Sequence, residues 1–345
     1  MKNMYKLLIF LLIFFFSNHL CHAQQILKKY DFYPKEENDI YFRVVSDMTI
    51  SGDNLIAVIN MDHTVLMFSI KEGIKFIKKI GSPGQGPGEF SQPMAATSFN
   101  QKIAIKDSQG LSIFSKDGKF LKRYTKYFRG KNLIYQGDKV FHLNFDPGNS
   151  HLVNVISLEG ELLSEFGAKF VLDPSKLKGA NPFGALETVH KGKLIYNGEY
   201  IFYLNAIFGK LFKFTPEGME LLKSDLVELV GQSGKTALKK NEDIWLKKSL
   251  EDRTRYPYWP LFIDAAYCGG KIYLLIDLRA HGIRDLKGWI IRSFNSDTLD
   301  FLDEYKIDIE EVRRIYSFVV KVVESTPIFY LSIDTDDSYV IAEYK

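Results

Sequence analysis

The sequence repeats one short pattern six times: an apolar strand that ends in Asn or Asp. The six copies are IAVIN to Asn60, IAIKD to Asp107, VFHLN to Asn144, IFYLN to Asn205, IYLLID to Asp277 and IFYLSID to Asp334. A polar turn such as SGDN at 51–54 or CGGK at 268–271 comes before a copy. These residues close hairpins because Gly, Asn and Asp tolerate a positive φ. The repeat therefore predicts a fold that is built from several similar small units.

Two further strands follow each of the first five copies. The first is another strand of alternating pattern, as in TVLMFS and LSIFS. The second is an outer strand in which polar and apolar residues mix, such as KFIKKI or KFLKRY. The turns between them place four glycines in equivalent positions: Gly73, Gly118, Gly160 and Gly218. Four short strands in each of six units predict an all-β fold, a six-bladed β-propeller with four-stranded antiparallel blades. A β-sandwich or two smaller all-β domains are the alternative, because alternating strands alone do not specify closure.

The two ends of the sequence bear on closure. After Asp334 the chain has little more than DDSYVIAEYK, which supplies a third strand and no fourth. The segment QILKKYDF at 25–32 resembles the outer strands KFIKKI and KFLKRY. We therefore predict that the N-terminal strand closes the ring, since an unpaired edge would invite aggregation.

Residues 1–23 are predicted to be a secretory signal peptide. Lys2 and Lys6 precede an uncharged apolar run, 7–16, and Cys21-His22-Ala23 ends with a small residue at a possible cleavage site. Lipidation of Cys21 is an alternative, but Asn18-His19-Leu20 lacks the small residue that usually comes before such a cysteine. We expect an exported protein, periplasmic or extracellular, with a single propeller domain over 24–345.

Composition excludes some partners. The formal net charge of the sequence is +3, and removing the two lysines of 1–23 leaves a value close to neutral, which argues against nucleic acid and against an anionic membrane surface. No segment after the signal peptide approaches the roughly 20 apolar residues of a transmembrane helix. Cleavage after Ala23 would leave Cys268 as the only cysteine, so the core would have to supply the stability without a disulfide.

A glycine-rich stretch, GSPGQGPGEF at 81–90, resembles a phosphate-binding loop only in its glycines, since it lacks Gly-Lys followed by Ser or Thr and no helix follows. We interpret it as the linker between two blades. With the following KIAIKDSQGLSIFSKDGKFLKRY, it resembles NHL-type repeats, and more closely the secreted six-bladed β-propellers of Bacteroidetes. Ser108-Gln109-Gly110 replaces the Asn-Arg pair that is usual in NHL repeats. The resemblance implies the fold and says little about a ligand.

In a propeller, the loops between second and third strands share one face with the linkers between blades. This loop-rich face should also carry the long insertions at 167–184, 224–260 and 277–288. The insertion at about 224–260 contains apolar residues from Ala237 to Leu250 that predict a short amphipathic helix. After it, Arg255, Tyr256, Tyr258 and Trp259 offer aromatic surface beside a cation, which suits a glycan, a peptide or a protein partner. The same aromatic residues would also serve to pack the helix onto the blades.

We therefore expect a secreted, non-catalytic binding propeller without a cofactor. The alternative is a metal-dependent hydrolase or lyase, because lactonase-like and lyase-like propellers hold a divalent ion near their axis. Its oxygen ligands for calcium or another divalent ion would be Asp62, Asn144, Asn205 and Asp277, with His63 or His281 as a general base. These Asp and Asn residues also have a conformational explanation in turns. A structural module within an envelope complex is a third possibility, and the oligomeric state is not specified.

Overall fold

The computed structural model describes residues 25–34, 40, 42–125, 132–169, 182–247, 260–278, 288–307, 312–335 and 338–345. The predicted signal peptide lies outside these residues. Within them the chain forms six antiparallel sheets arranged as a six-bladed propeller, so the predicted fold is confirmed. We number the blades in chain order and their strands from the innermost outward.

In the first three blades, the four strands of each blade follow one another in chain order. Blade one comprises Asp47–Ser51, Asn54–Ile59, Thr64–Ser69 and Lys75–Ile80. Blade two comprises Ala95–Phe99, Lys102–Asp107, Gly110–Ser115 and Phe120–Tyr124. Blade three comprises Leu133–Gln136, Lys139–Leu143, His151–Ser157 and Leu162–Ala168. The second strand of each blade is almost entirely buried, which is why it is the most apolar part of the repeat.

The other three blades carry the helices and the ring closure. Blade four comprises Gly192–Tyr196, Ile201–Asn205, Lys210–Phe214 and Glu220–Asp225. Blade five comprises Asp264–Cys268, Lys271–Asp277, Trp289–Asn295 and Phe301–Ile307. Blade six comprises Val312–Val323, Thr326–Thr335 and Tyr339–Tyr344, with Lys29–Tyr33 as its outer strand. The first strands of neighbouring blades contact each other all the way round the ring.

Burial explains why the blades stay together. Among the described residues, a separate apolar cluster fills the interface between each pair of adjacent blades. Phe68 and Tyr33 meet between blades one and six, for example, with their ring centroids 5.0 Å apart. Because the core is divided among blade interfaces, opening the ring at one interface exposes a large apolar surface.

The N-terminal segment closes the ring as predicted, and it adds a strand to each of two blades. Lys29–Tyr33 pairs antiparallel with Tyr339–Tyr344, and the Asp31 carboxylate accepts a 2.7 Å hydrogen bond from Ile74 N in the next blade. Gln25–Leu27 differs from the four-strand expectation, because it adds a parallel fifth strand to blade five. The cause is Leu27, which is buried in the cluster between blades five and six and holds the segment there.

The glycine-rich linker turns the chain from blade one into blade two, as the sequence indicated. Ser82–Pro83 and Glu89–Phe90 form a short parallel bridge, and Phe90 is buried between the two blades. Gly81 has φ of +69°, and a Cβ there would lie 2.3 Å from the carbonyl oxygen of Gly88. The linker can fold this tightly only with glycine at that position.

A buried arginine holds the folded linker in place. The Arg123 guanidinium donates hydrogen bonds to the carbonyl oxygens of Gln85, Gly86 and Glu89. It also pairs with the Asp107 carboxylate at 3.5 Å, and both side chains are almost completely buried. The loop therefore presents carbonyl oxygens to a cation, which is the opposite of the amide groups that a phosphate-binding loop presents to an anion.

Two helices lie beside blade four in the part of the chain that the structure describes. Helix α1 spans Pro182–Val189 and helix α2 spans Leu226–Lys247. The predicted helix in the 224–260 insertion is therefore present, but it begins well before Ala237, because tertiary packing buries its first turns. Its buried residues with described side chains are Leu226, Val230, Ala237 and Asn241. Asn241 Nδ2 donates a 2.7 Å hydrogen bond to the Ile207 carbonyl oxygen, which ties α2 to the loop-rich face.

Neither described helix has the length and apolarity that crossing a lipid bilayer requires.

Candidate functional site: the axial cavity

The loop-rich face opens into a cavity on the propeller axis. Its volume is about 800 Å³, and every blade contributes to its wall. Representative lining residues, in blade order, are Asp47, Met94, Asn132, Lys193, Asp264 and Ser317. We call this space the axial cavity. A volume of this order is typical of pockets for small molecules or short peptides.

Three charged side chains form the inner end of the cavity. Lys193 Nζ lies 2.9 Å from Asp264 Oδ1 and 3.7 Å from Asp47 Oδ1. The three residues come from the first strands of blades four, five and one, so they meet only because the ring closes. We call them the axial floor. Asp47 and Lys193 also line a second space of about 400 Å³ between the inner strands, which places the floor at the boundary between the two spaces.

The two carboxylates of the floor differ in their hydrogen bonds. Asp264 accepts bonds from Ser317 Oγ at 2.8 Å and Phe318 N at 3.2 Å, in addition to its contact with Lys193. Asp47 Oδ2 accepts one from Ala96 N at 3.0 Å. Its Oδ1 lies beyond hydrogen-bonding distance of the Lys193 ammonium. Asp264 is therefore the tightly held carboxylate, and Asp47 is the looser one.

Burial and charge act in opposite directions on the floor. Burial raises the pKa of the Asp47 carboxyl, against the opposing effect of the Lys193 ammonium. Burial alone would lower the pKa of Lys193, but the Asp264 and Asp47 carboxylates outweigh it and hold that pKa above the usual value for lysine. Lys193 is therefore a permanent cation, which makes it unsuitable as a nucleophile or a base at neutral pH.

A buried histidine also lines the cavity. His190, directly after helix α1, places Nδ1 2.9 Å from the Leu186 carbonyl oxygen. A carbonyl only accepts, so Nδ1 carries the proton of the neutral ring. Burial lowers the pKa of His190 to about 4. The ring is therefore neutral at physiological pH and adds no charge to the cavity.

Exposed charged residues surround the mouth of the cavity. The exposed residues that line the mouth are three cations, Lys191, Arg313 and Arg314, and the carboxylate Glu187. The Arg314 guanidinium lies 4.9 Å from the ring centroid of Tyr316. The Tyr316 hydroxyl in turn lies 3.3 Å from Asp334 Oδ2. The mouth is thus rich in cations and has an aromatic surface.

The four residues named as possible metal ligands have separate environments. Asp62 pairs with Arg43 at 3.5 Å, and the Asn144 side-chain oxygen accepts the Asp146 amide. Asn205 is completely buried, and its amide group bonds to four atoms, including Ile207 N and Tyr203 Oη. Of the four residues, Asp277 is the one that lines the axial cavity. Within the described ranges, no group of three or more His, Cys, Asp or Glu side chains is placed to hold a metal ion.

The two candidate bases are not comparable. His63 is exposed at the end of a 3-10 turn over Asn60–Asp62, with a left-handed φ of 50°. His281 lies outside the described residues. The metal-dependent alternative remains a prediction.

The predicted contact residues Arg255, Tyr256, Tyr258 and Trp259 also lie outside the described residues. They come directly before Pro260, which lines the axial cavity. Their connection to the cavity is therefore one of chain order, and their role as contacts stays a prediction.

Sequence reasoning missed the axial floor. Asp47 and Asp264 each begin an innermost strand, and Lys193 is the second residue of another. In a closed ring these positions crowd around the axis. Once the six blades and their first strands are assigned, a charged residue at or next to the start of a first strand is the signal that identifies them.

Comparison with known proteins agrees with the fold. A family model described as a 6-bladed beta-propeller matches residues 16–115. No curated protein sequence matches the chain. A solved structure of a Bacteroides fragilis protein described as exported is 14% identical, covers 94% of this chain and 97% of its own, and has a TM-score of 0.58.

Two further solved structures are similar over most of the chain. A DUF4221 family member from Bacteroides vulgatus is 11% identical, with 94% of this chain and 99% of that chain covered and a TM-score of 0.52. A virginiamycin B lyase from Staphylococcus aureus is 13% identical, with 90% and 82% covered and a TM-score of 0.44. The TM-score of the lyase is too low to bear on function, and the two Bacteroides structures show the fold alone.

Proposed function

We propose that this six-bladed β-propeller is an exported, non-catalytic binding protein whose ligand or protein partner occupies the loop-rich face over the axial cavity. The observation that carries the proposal is the cavity itself, about 800 Å³ in volume and lined by all six blades. A closed ring of packed blades around a concave site with polar and apolar lining residues is suited to binding, because a preformed site loses little conformational entropy.

The chemistry of the lining favours binding over catalysis. Lys193 is held as a cation by two carboxylates, and His190 is neutral with its Nδ1 proton bonded to a carbonyl oxygen. Neither group is arranged to exchange protons with a substrate at neutral pH. Exposed cations and Tyr316 at the mouth suit hydrogen bonding and stacking with a peptide or a glycan.

Arrays of peptides and glycans, probed with labelled protein, test this proposal. We expect bound array members to lose signal when Arg255, Tyr256, Tyr258 and Trp259 are all replaced by Ala. The matched control is Leu162→Ala with Leu163→Ala, two exposed residues on the outer strand of blade three. Equal signals for wild type and the quadruple variant would reject these contact residues.

Elemental mass spectrometry of protein purified without chelator tests the alternative. A stoichiometric calcium, zinc or similar ion would favour the metal-dependent hydrolase or lyase and would justify lactone, ester and lyase assays. Melting that does not change with calcium or EDTA would favour the binding function.

A further inference from the structure

The axial floor has an unbalanced charge. It contains two carboxylates, Asp47 and Asp264, and one ammonium, Lys193. The neighbouring lining residues Asn132 and Ser317 are uncharged. With both carboxylates ionised, the formal charge at the inner end of the cavity is negative. Burial raises the pKa of Asp47, so a ligand cation beside it would favour its ionised form. An excess charge in a partly desolvated site attracts a counter-ion more strongly than the same charge in water.

The geometry identifies which carboxylate has capacity left. Asp264 is held by Lys193 Nζ at 2.9 Å, Ser317 Oγ at 2.8 Å and Phe318 N at 3.2 Å. Asp47 Oδ1 is 3.7 Å from Lys193 Nζ, which is too long for a hydrogen bond. A carboxylate oxygen accepts more than one hydrogen bond, so Asp47 is able to accept one from a ligand in the cavity.

The charges at the mouth of the cavity determine which way round a ligand would bind. Lys191, Arg313 and Arg314 are exposed there. These three cations outnumber Glu187, the exposed carboxylate of the lining, so the mouth favours an anionic or polar end of a ligand, while the floor favours a cationic end. A ligand with a positive group at one end would therefore bind with that end inward.

We propose that the axial floor is a binding site for the primary ammonium group of a ligand, with Asp47 as its acceptor. This inference rests on the proposed binding function and names the chemistry of the ligand's inner end. A primary ammonium carries three donors on a compact charge, so it can bond to Asp47 without displacing Lys193 from Asp264.

Calorimetric titration with n-hexylamine tests the floor, and hexanoate serves as the probe of opposite charge. We expect hexylamine to bind the wild-type protein and hexanoate to bind more weakly. Asp47→Asn should weaken hexylamine binding by about tenfold or more, the usual effect of losing one hydrogen bond between charged groups. The matched control is Asp53→Asn, which removes the same charge from an exposed residue on the opposite face and should leave the affinity unchanged.

Two results would overturn the inference: no hexylamine binding to the wild type, or equal affinity in Asp47→Asn and the wild type. Circular dichroism and urea unfolding establish that each variant is folded before it is titrated. Failure of this test is distinguishable from failure of the proposed function, because the array experiment changes different residues. Array binding that depends on the loop-rich face, without hexylamine binding, would reject the floor site alone.

Discussion

Replacing Lys193 with Met should destabilise the protein strongly, and more at neutral than at acidic pH. The substitution removes the ammonium and leaves Asp47 and Asp264 facing each other inside the ring. The side chain of Lys193 is 26% exposed and that of Asp264 only 9%, so the pair is largely shielded from water. Removing one partner of a buried pair costs about 3–5 kcal/mol, and the partial exposure of Lys193 places the expected loss near the lower limit.

The pH dependence follows from Asp47. Burial already raises the pKa of its carboxyl, and loss of the Lys193 ammonium removes the largest of the effects that lower it. The folded variant then binds a proton more tightly than the unfolded chain does. Its stability must therefore increase as the pH falls through the folded-state pKa toward the unfolded value. The difference from wild type should shrink on acidification.

Urea unfolding followed by tryptophan fluorescence, at about pH 7.5 and about pH 5, measures both effects. Lys193→Arg keeps the charge and should lose less stability than Lys193→Met. The double variant Lys193→Met, Asp264→Asn removes one of the facing charges and should recover part of the loss, which keeps the test informative if the single variant does not fold. A loss below about 1 kcal/mol, or the same loss at both pH values, would refute the reasoning.

Three other substitutions test the ring in the same urea assay. Arg123→Met should cost about 3 kcal/mol, because it removes the cation beside the buried Asp107 carboxylate. The control Lys75→Met, at an exposed ion pair, should cost under about 0.5 kcal/mol. Similar losses in the two variants would contradict the role of Arg123. Gly218→Ala should lose more stability than Gly198→Ala. Both glycines have a positive φ, but only a Cβ at position 218 would contact Phe166, at 2.6 Å. Equal losses of stability would exclude the effect of this contact. Asp31→Ala should cost about 1–2 kcal/mol by leaving Ile74 N unpaired, and an unchanged midpoint would show that this bond does not contribute to ring closure.

The sequence predicted the parts of the fold that depend on local signals. Alternating strands and turn glycines identified the six units, and the similarity of 25–32 to the outer strands identified the closure. Arg123 was missed because KFLKRY has the alternation of an exposed outer strand, and its burial arises only when the glycine-rich linker folds over it. The early start of helix α2 was missed because Leu226 is buried by blade four and not by the helix itself.

The axial floor was missed for a different reason. Lys193 lies in GKLIY, where a lysine after a glycine is typical of a solvent-exposed turn. Its partners come from blades one and five, and nothing in the neighbouring sequence indicates them. Such a contact is a property of the closed ring, so it becomes predictable only after the number of blades and the start of each first strand are known.

The position of the floor connects ligand binding to the stability of the ring. Lys193 and Asp47 come from blades four and one, which are opposite each other, so their attraction acts across the whole ring. A cation bound at Asp47 would compensate the same excess charge that the folded state carries at the floor. A ligand that binds only the closed ring must raise the free energy of unfolding by RT ln(1 + c/Kd), which grows with its concentration c. Thermal unfolding in the presence of candidate amines is therefore a direct screen for the ligand, and it should lose its response in Asp47→Asn.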